Sequence, residues 1–217
     1  GLNDTWHIGE IVVHPNNPDI VLVAAQGHFW SSNENRGIFR TDDGGKSWNH
    51  VLFIDENTGA NDIVFSRANP KIVYATTWEN YPNVNGKKSA VYKSEDAGLI
   101  WNKITNGVTI NKNTGRIGIA ASYQDKDKAY IFIDQRNQRN GQGTGEVYKT
   151  TNGGKNWKKT HKENIKSLSV IGWYFMDMYV NPQNDEEIYG LGVRLIHSID
   201  GGKTFKNIGG QITHLTP

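Results

Sequence analysis

The chain has 217 residues, with 24 Lys and Arg against 22 Asp and Glu, 36% hydrophobic residues and no Cys. The net charge is only +2, whereas nucleic-acid-binding domains carry clustered basic residues. No apolar run approaches the ~20 residues that span a bilayer. Seven Trp, nine Tyr and seven Phe supply ample side chains for a core, which excludes a disordered chain. We therefore expect one domain, or part of one large repetitive domain, with no nucleic-acid partner and no membrane span.

Sixteen short segments are rich in β-branched and aromatic residues and are predicted to be strands, whereas no stretch carries a helical stripe. They fall into four groups of four. In chain order, the first group is 8–13, 20–25, 37–41 and 47–53, and the second is 62–66, 72–77, 90–93 and 101–105. The third group is 116–121, 128–133, 146–149 and 157–160, and the fourth is 175–181, 187–192, 194–197 and 205–208.

One turn, of the form Ser/Thr-x-Asp-x-Gly-x-Ser/Thr-Trp/Phe, follows the third strand of every group. Its acidic or amide position is residue 43, 96, 152 and 200, so the spacings are 53, 56 and 48 residues. The Asp accepts hydrogen bonds from the amides of its own turn, the Gly tolerates positive φ, and the aromatic ring packs under the sheet. The predicted structural residues are Asp43, Gly45, Trp48, Asp96, Gly98, Trp101, Asn152, Gly154, Trp157, Asp200, Gly202 and Phe205.

Four antiparallel strands repeated every ~40 to 55 residues are typical of β-propeller blades. The predicted fold is therefore all-β, a β-propeller of four-stranded antiparallel blades, of which about four are present. Within the single domain 1–217, we place the blades at about 7–53, 61–105, 116–160 and 173–210, with 211–217 as the start of a fifth. This start predicts that the chain is part of a larger ring.

The repeated turn resembles the Asp box of BNR-repeat propellers, a group that includes sialidases, oligoxyloglucan-type glycoside hydrolases and sortilin-type receptors. Residues 4–9 (DTWHIG), 27–30 (GHFW), 55–60 (DENTGA) and 76–79 (TTWE) are similar to bacterial sortilin-like (VPS10-type) or BNR-repeat glycosyl hydrolases. The resemblance covers essentially the whole chain. It implies a secreted, periplasmic or cell-surface protein, a complete ring of about seven to ten blades, and Asp boxes away from the ligand site.

Successive hairpins of an up-and-down blade alternate between its two rims. One rim, named here the turn rim, therefore carries the Asp boxes together with the Asn/Asp/Pro turns that join the first and second strands. The connections on the other, the long-loop rim, reach ~10 residues, and function collects on such loops. We predict a glycan or polypeptide ligand there, bound by His28, Trp30, Trp78, Glu79, Tyr81, Arg116, Trp173 and Tyr174. The alternative is that the aromatic residues fill gaps between blades.

Alignment of the first strands places Glu10, Asp62 and Asp177 at one position in blades one, two and four, and Gly118 there in blade three. First strands line the channel of a propeller, so repulsion and desolvation are expected to raise the carboxyl pKa values, with Arg116 as the candidate partner. The three acids are therefore candidate catalytic residues of a glycoside hydrolase, whose paired carboxylates lie about 5–9.5 Å apart. The alternative is that they cap amides of neighbouring strands.

The seven His lack metal-ligand spacing such as H-E-x-x-H, and the sequence has no P-loop, nucleophile elbow or dinucleotide fingerprint. We expect no metal and no cofactor. The leading hypothesis is an extracytoplasmic Asp-box propeller that acts on or binds a glycan or polypeptide, with the remaining blades or partner chains as further partners. The alternative is a non-catalytic ligand-binding or assembly module of a larger secreted protein, whose open edge strands pair with other chains.

Overall fold

The computed structural model describes residues 2–136, 143–162, 165, 172, 176–192 and 194–209. Over these ranges the chain forms sixteen strands and no helix, and the strands make four antiparallel sheets in which neighbours follow one another in sequence. The predicted all-β fold of four-stranded blades is confirmed. Residues 211–217, predicted to begin a fifth blade, lie outside the described residues.

Each sheet is one blade, numbered from the amino terminus. Blade one contains β1 (His7–Val13), β2 (Val21–Gly27), β3 (Gly37–Thr41) and β4 (Asn49–Leu52). Blade two contains β5 (Thr58–Phe65), β6 (Val73–Glu79), β7 (Ala90–Ser94) and β8 (Asn102–Ile104). Blade three contains β9 (Thr114–Ala121), β10 (Ala129–Arg136), β11 (Gly143–Thr150) and β12 (Lys158–Lys159). Blade four contains β13 (Asp177–Asn181), β14 (Asn184–Leu191), β15 (Leu195–Ser198) and β16 (Lys206–Asn207).

Successive blades pack face to face, and buried apolar clusters fill the three interfaces. Alternate residues of one strand serve different interfaces: Val73 of β6 packs against blade one, and Tyr74 packs against blade three. In β10, Ile131 packs against blade two and Phe132 against blade four. Because successive side chains of a strand point to opposite faces, a strand that lies between two neighbouring blades is apolar on both sides.

Each Asp-box turn is closed by the same hydrogen bonds. In the first box, the backbone N–H of Gly45 donates to Thr41 Oγ1 (3.0 Å) and that hydroxyl donates to Asp43 Oδ1 (2.7 Å). The backbone N–H of Ser47 donates to the same carboxylate oxygen (3.0 Å). These bonds recur in the other three boxes, with an amide oxygen from Asn152 in the third. The hydrogen bonds from Ser47 hold the pKa of Asp43 well below its usual range.

The Asp boxes lie beside the turns that join the first two strands of each blade. The backbone N–H of Gly44 donates to the carbonyl of Asp19 (3.1 Å), and equivalent bonds link the two turns in the other three blades. Both kinds of turn therefore share one rim, and the longer connections lie on the other. No helix among the described residues is long and apolar enough to cross a membrane.

Candidate functional site

Two loops of the long-loop rim meet above blades one and two. Residues 28–36 join β2 to β3, and residues 80–89 join β6 to β7. Both contact the connection between the two blades, since the backbone N–H of Asn33 donates to the carbonyl of Glu56 (2.9 Å) and that of Asn80 donates to the carbonyl of Asn57 (3.2 Å). Both loops are thus anchored by hydrogen bonds to the same connection between the two blades.

A cavity of about 700 Å³ lies between these loops and the start of β1, and is named here the rim pocket. Its apolar wall is mostly aromatic, and its polar lining includes two amides, one guanidinium and the imidazole of His7. The other residues concerned are Trp6, Phe29, Trp30, Trp78, Tyr81, Gln26, Asn80 and Arg116. A concave, mostly apolar cavity with a few convergent polar groups is the usual form of a small-ligand site.

The two predicted Trp residues of this wall differ in exposure. Trp30 is 87% exposed and presents its ring to solvent. Trp78 is 1% exposed, its Nε1 donates to the carbonyl of Val84 (2.9 Å), and Phe29 meets its ring edge-on at 6.4 Å. Trp78 is therefore a buried part of the pocket wall, and of these two rings Trp30 is the one with a free face.

The other predicted ligand residues divide between the pocket and its supports. Tyr81 and Arg116 line the rim pocket. His28 and Glu79 lie beside it: His28 bonds Ser31 Oγ (2.9 Å) and Asp4 Oδ1 (3.1 Å) through its two ring nitrogens, and Glu79 Oε2 accepts from the backbone N–H of Lys88 (2.8 Å). Both side chains hold loops in place. The predicted ligand residues Trp173 and Tyr174 lie outside the described residues.

Sequence reasoning did not identify the two amides. Gln26 is 5% exposed and Asn80 is 4% exposed, and both line the rim pocket. Within the described part of the chain, Asn80 Nδ2 has no acceptor, and no hydrogen bond joins the Gln26 side chain to another residue. Neither position belongs to a motif. The only sequence signal was their place at the ends of β2 and β6, where strands meet the long-loop rim.

The three aligned carboxylates lie together in a second cavity, named here the channel cleft. It has a volume of about 390 Å³, lies between β1, β5, β9 and β13, and is lined by Glu10, Asp62 and Asp177. Gly118 fills the fourth position, where an added Cβ would lie 3.4 Å from Asp177 Cα. The three carboxylates that the sequence alignment grouped thus line one cavity, and Arg116 interacts electrostatically with all three.

The channel cleft shifts the pKa values of its groups. Burial raises the pKa of Asp62 to about 7, and repulsion from Asp177 adds to this shift, whereas the hydrogen bond from the Ile119 N–H and the charge of Arg116 oppose it. Burial likewise raises the pKa of Glu10. Among the described residues, no three His, Asp or Glu side chains converge closely enough to hold a metal ion. The positive charge of Arg116 balances the three carboxylates in part.

Comparisons with known proteins agree with this architecture. The sequence matches the family model Sortilin-Vps10, described as "Sortilin, neurotensin receptor 3", over residues 2–208. Comparison with curated protein sequences gave no significant match.

Three solved structures have similar folds. The GH74 enzyme of Niastella koreensis superposes with a TM-score of 0.67 at 16% identity, over 91% of this chain and 30% of that chain. The GH74 xyloglucanase of Xanthomonas campestris gives 0.61 at 17% identity, over 92% and 30% of the two chains. YCF48 from Cyanidioschyzon merolae gives 0.60 at 14% identity, over 98% and 59%. The chain thus spans less than a third of each of these GH74 structures.

Proposed function

We propose a function for this chain from its membership of the Sortilin-Vps10 family, a family of Asp-box β-propellers. In this proposal the chain is a ligand-binding part of a larger extracytoplasmic propeller, and its rim pocket binds a glycan. The observation that carries the proposal is the pocket lining, in which the exposed ring of Trp30 lies near the buried amides of Gln26 and Asn80. A sugar has an apolar C–H face and polar edges. An aromatic ring with hydrogen-bonding amides beside it complements both.

A glycan is also supported by the similarity to the GH74 enzyme of Xanthomonas campestris, which is described as a xyloglucanase. Isothermal titration of the intact chain with xyloglucan oligosaccharides tests the proposal. We expect saturable binding that weakens at least about tenfold in Trp30→Ala, equivalent to about 1.4 kcal/mol. Ile199→Ala is the matched control, because Ile199 is 66% exposed in the Asp box of blade four on the turn rim. Binding that survives in Trp30→Ala refutes the assignment to the rim pocket.

A polypeptide ligand is the second candidate, supported by the description of the family as a neurotensin receptor. The same pocket suits an extended peptide with one aromatic side chain, since aromatic rings pair edge-to-face with a gain of about 0.5–1.5 kcal/mol. Competition distinguishes the two ligands. A peptide library that binds in a Trp30-dependent manner, while xyloglucan oligosaccharides do not displace it, favours the polypeptide.

A more specific form of the glycan proposal is that the protein hydrolyses the glycan that it binds. A general acid with a pKa near neutrality, such as Asp62, suits acid catalysis. The three carboxylates line the channel cleft, and Arg116, which lines the rim pocket, interacts with each of them. A glycan that is bound in the rim pocket and hydrolysed in the channel cleft would therefore extend past Arg116. Release of reducing sugar from xyloglucan that disappears in Asp177→Asn supports a hydrolase. Binding without product release supports a lectin-like function.

The extracytoplasmic location rests on the family assignment. Fractionation of the native host tests it, and recovery of the protein in the cytoplasm contradicts it. An assembly role predicts self-association through blade edges, and light scattering of the purified chain measures this directly.

A further inference from the structure

The Arg36 side chain joins the two loops that form the rim pocket. It is completely buried, and its guanidinium donates hydrogen bonds to the carbonyls of Gln26, His28 and Ser31 and to Asn80 Oδ1. Gln26 and Ser31 belong to blade one and its loop, whereas Asn80 belongs to the loop of blade two. Burial lowers the pKa of Arg36 to about 10, so the group stays charged at neutral pH. One buried cation therefore connects both sides of the pocket.

The contact with Arg36 also fixes the orientation of the Asn80 amide. A guanidinium only donates hydrogen bonds, so it must meet the amide oxygen and not the amide nitrogen. Asn80 Nδ2 is left as a donor, and in the described part of the chain it has no acceptor. A buried donor without a partner destabilises the empty pocket, because it has given up its hydrogen bond to water. A ligand oxygen in the rim pocket would supply the missing acceptor.

Gln26 repeats this arrangement from the other blade. Its backbone carbonyl accepts from Arg36 Nη1, the same nitrogen that donates to Asn80. Its side-chain amide lines the rim pocket and makes no hydrogen bond to another described residue. Two amides from two blades are thus positioned by one arginine, and both have hydrogen-bonding capacity that the described protein does not use.

We propose that Arg36 is a positioning residue that presents the Asn80 and Gln26 amides as a polar subsite of the rim pocket, and that this subsite binds the hydroxyl groups of a neutral sugar. The proposal rests on the glycan function proposed above. Arg36 itself does not contact the ligand, because its side chain is fully buried. The subsite selects ligands by hydroxyl pattern, since a site built to hydrogen-bond a hydroxyl leaves buried groups unpaired when the ligand lacks it.

Asn80→Asp distinguishes the role of Asn80 in ligand binding from its role in holding the loops together. The aspartate keeps an oxygen for Arg36 and adds a charge pair, so we expect a Tm equal to or above that of the unmodified chain. It removes the Nδ2 donor, so binding of xyloglucan oligosaccharides should weaken about 5- to 150-fold, which corresponds to the 1–3 kcal/mol of one lost buried hydrogen bond. Unchanged affinity in Asn80→Asp overturns the inference, while Trp30-dependent binding would leave the glycan function standing.

Arg36→Lys tests the positioning role, since lysine keeps the charge but lacks the planar fork. Affinity is measured well below the Tm of the variant, so that only folded protein contributes. We expect weaker binding in the folded Arg36→Lys chain. The matched control is Arg40→Lys, because Arg40 is also buried (5% exposed) but donates to the Ala97 carbonyl on the turn rim; it should lower Tm without changing affinity. Wild-type affinity in folded Arg36→Lys refutes the role.

A ligand-free measurement keeps the inference testable if no oligosaccharide binds, a result that would refute the glycan function alone. In nitrogen-15 spectra of the intact chain, Arg36→Lys should shift the side-chain amide resonances of both Asn80 and Gln26. Arg40→Lys should leave them in place. Amide resonances that stay unchanged in Arg36→Lys overturn the positioning role.

Discussion

Asp62 and Ile119 join the second and third blades at their innermost strands, where the backbone N–H of Ile119 donates to Asp62 Oδ2 at 2.7 Å. The carboxylate therefore caps an amide of a neighbouring strand, the structural role that the sequence left open beside catalysis. The hydrogen bond from Ile119 favours the ionised carboxylate but does not outweigh burial and repulsion from Asp177, which raise the pKa of Asp62 to about 7. The native fold holds this acid in a site that disfavours its ionised form.

Asp62→Asn should stabilise the protein at alkaline pH. The folded pKa lies above the unfolded value of 3.8, so the folded state binds more protons between these values and stability falls as pH rises through this window. Asparagine keeps an oxygen for the Ile119 N–H and cannot ionise. In thermal melts, the variant should exceed the unmodified chain in Tm at about pH 8, and the two should converge near pH 4.

Asp200→Asn provides the control of opposite sign. Burial acts to raise the pKa of this Asp-box residue, but hydrogen bonds from Thr204 outweigh it and lower the pKa to about 2. Its ionised form stabilises the fold, and that contribution is lost as pH falls from about 4 towards 2. The variant should melt below the unmodified chain at about pH 8. A Tm difference for Asp62→Asn that does not depend on pH contradicts the proposed cause.

Gly59→Ala should weaken the contact between blades one and two. A Cβ at Gly59 would lie 2.5 Å from the backbone oxygen of Gln26, and backbone cannot move aside as a flexible side chain can. Overpacking of this kind costs about 1–3 kcal/mol, which lowers Tm by about 2–4 °C for each kcal/mol in a chain of this size. Calorimetry measures the shift, and because Gln26 lines the rim pocket, ligand affinity should fall as well.

Gly118→Ala is the matched control on another innermost strand. Its added Cβ would meet Asp177 Cα at 3.4 Å, an ordinary van der Waals contact. We expect a Tm within about 2 °C of the unmodified chain. Equal losses in the two variants would show that the close approach at Gly59 is not the cause.

The periodic elements of the fold were predictable from the sequence, and most of the site was not. The Asp-box turns repeat the same side-chain bonds, so a pattern of residue types specifies each hairpin: β3 was predicted at 37–41 and is Gly37–Thr41. The sequence grouped the three channel carboxylates for the same reason, since they occupy equivalent positions of repeated strands, and in the structure they line one cavity.

The rim pocket depends on loops that do not repeat. Arg36, Gln26 and Asn80 are distant in sequence and follow no spacing rule, and only tertiary contacts bring them together. Exposure is equally invisible in sequence. Trp30 follows β2 and Trp78 lies near the end of β6, so both are close to the long-loop rim, yet one ring is 87% exposed and the other 1%.

Trp78→Ala and Trp30→Ala should separate these two roles. Removal of a buried aromatic side chain costs about 3–5 kcal/mol, because it leaves a cavity that the surroundings fill only in part. Trp78→Ala should therefore lower the free energy of unfolding by that amount in urea titrations, whereas Trp30→Ala should change it by less than about 0.5 kcal/mol. A large stability loss in Trp30→Ala would mean that its ring packs against the protein and is not a free platform.

The interface between blades three and four carries a charge network that a single substitution can test. Lys149 Nζ lies 2.5 Å from Glu186 Oε1, and Lys128 Nζ lies 2.7 Å from Asp185 and 3.0 Å from Glu186. These side chains are only 13–39% exposed, so solvent and salt screen them less than a surface pair. Glu186→Gln should destabilise the chain by about 1 kcal/mol.

The matched control is Asp127→Asn, which breaks a pair with Lys126 whose side chains are 42% and 53% exposed. Such surface pairs contribute between about 0 and 1 kcal/mol, and salt screens them. Both variants are compared by urea unfolding at low and high salt. The Glu186→Gln difference should persist at about 0.5 M salt, where the Debye length is only a few ångströms, and the Asp127→Asn difference should vanish. If both differences vanish together, the network between the blades is solvated, and apolar packing of Ile188 and Ile196 against blade three holds that interface without it.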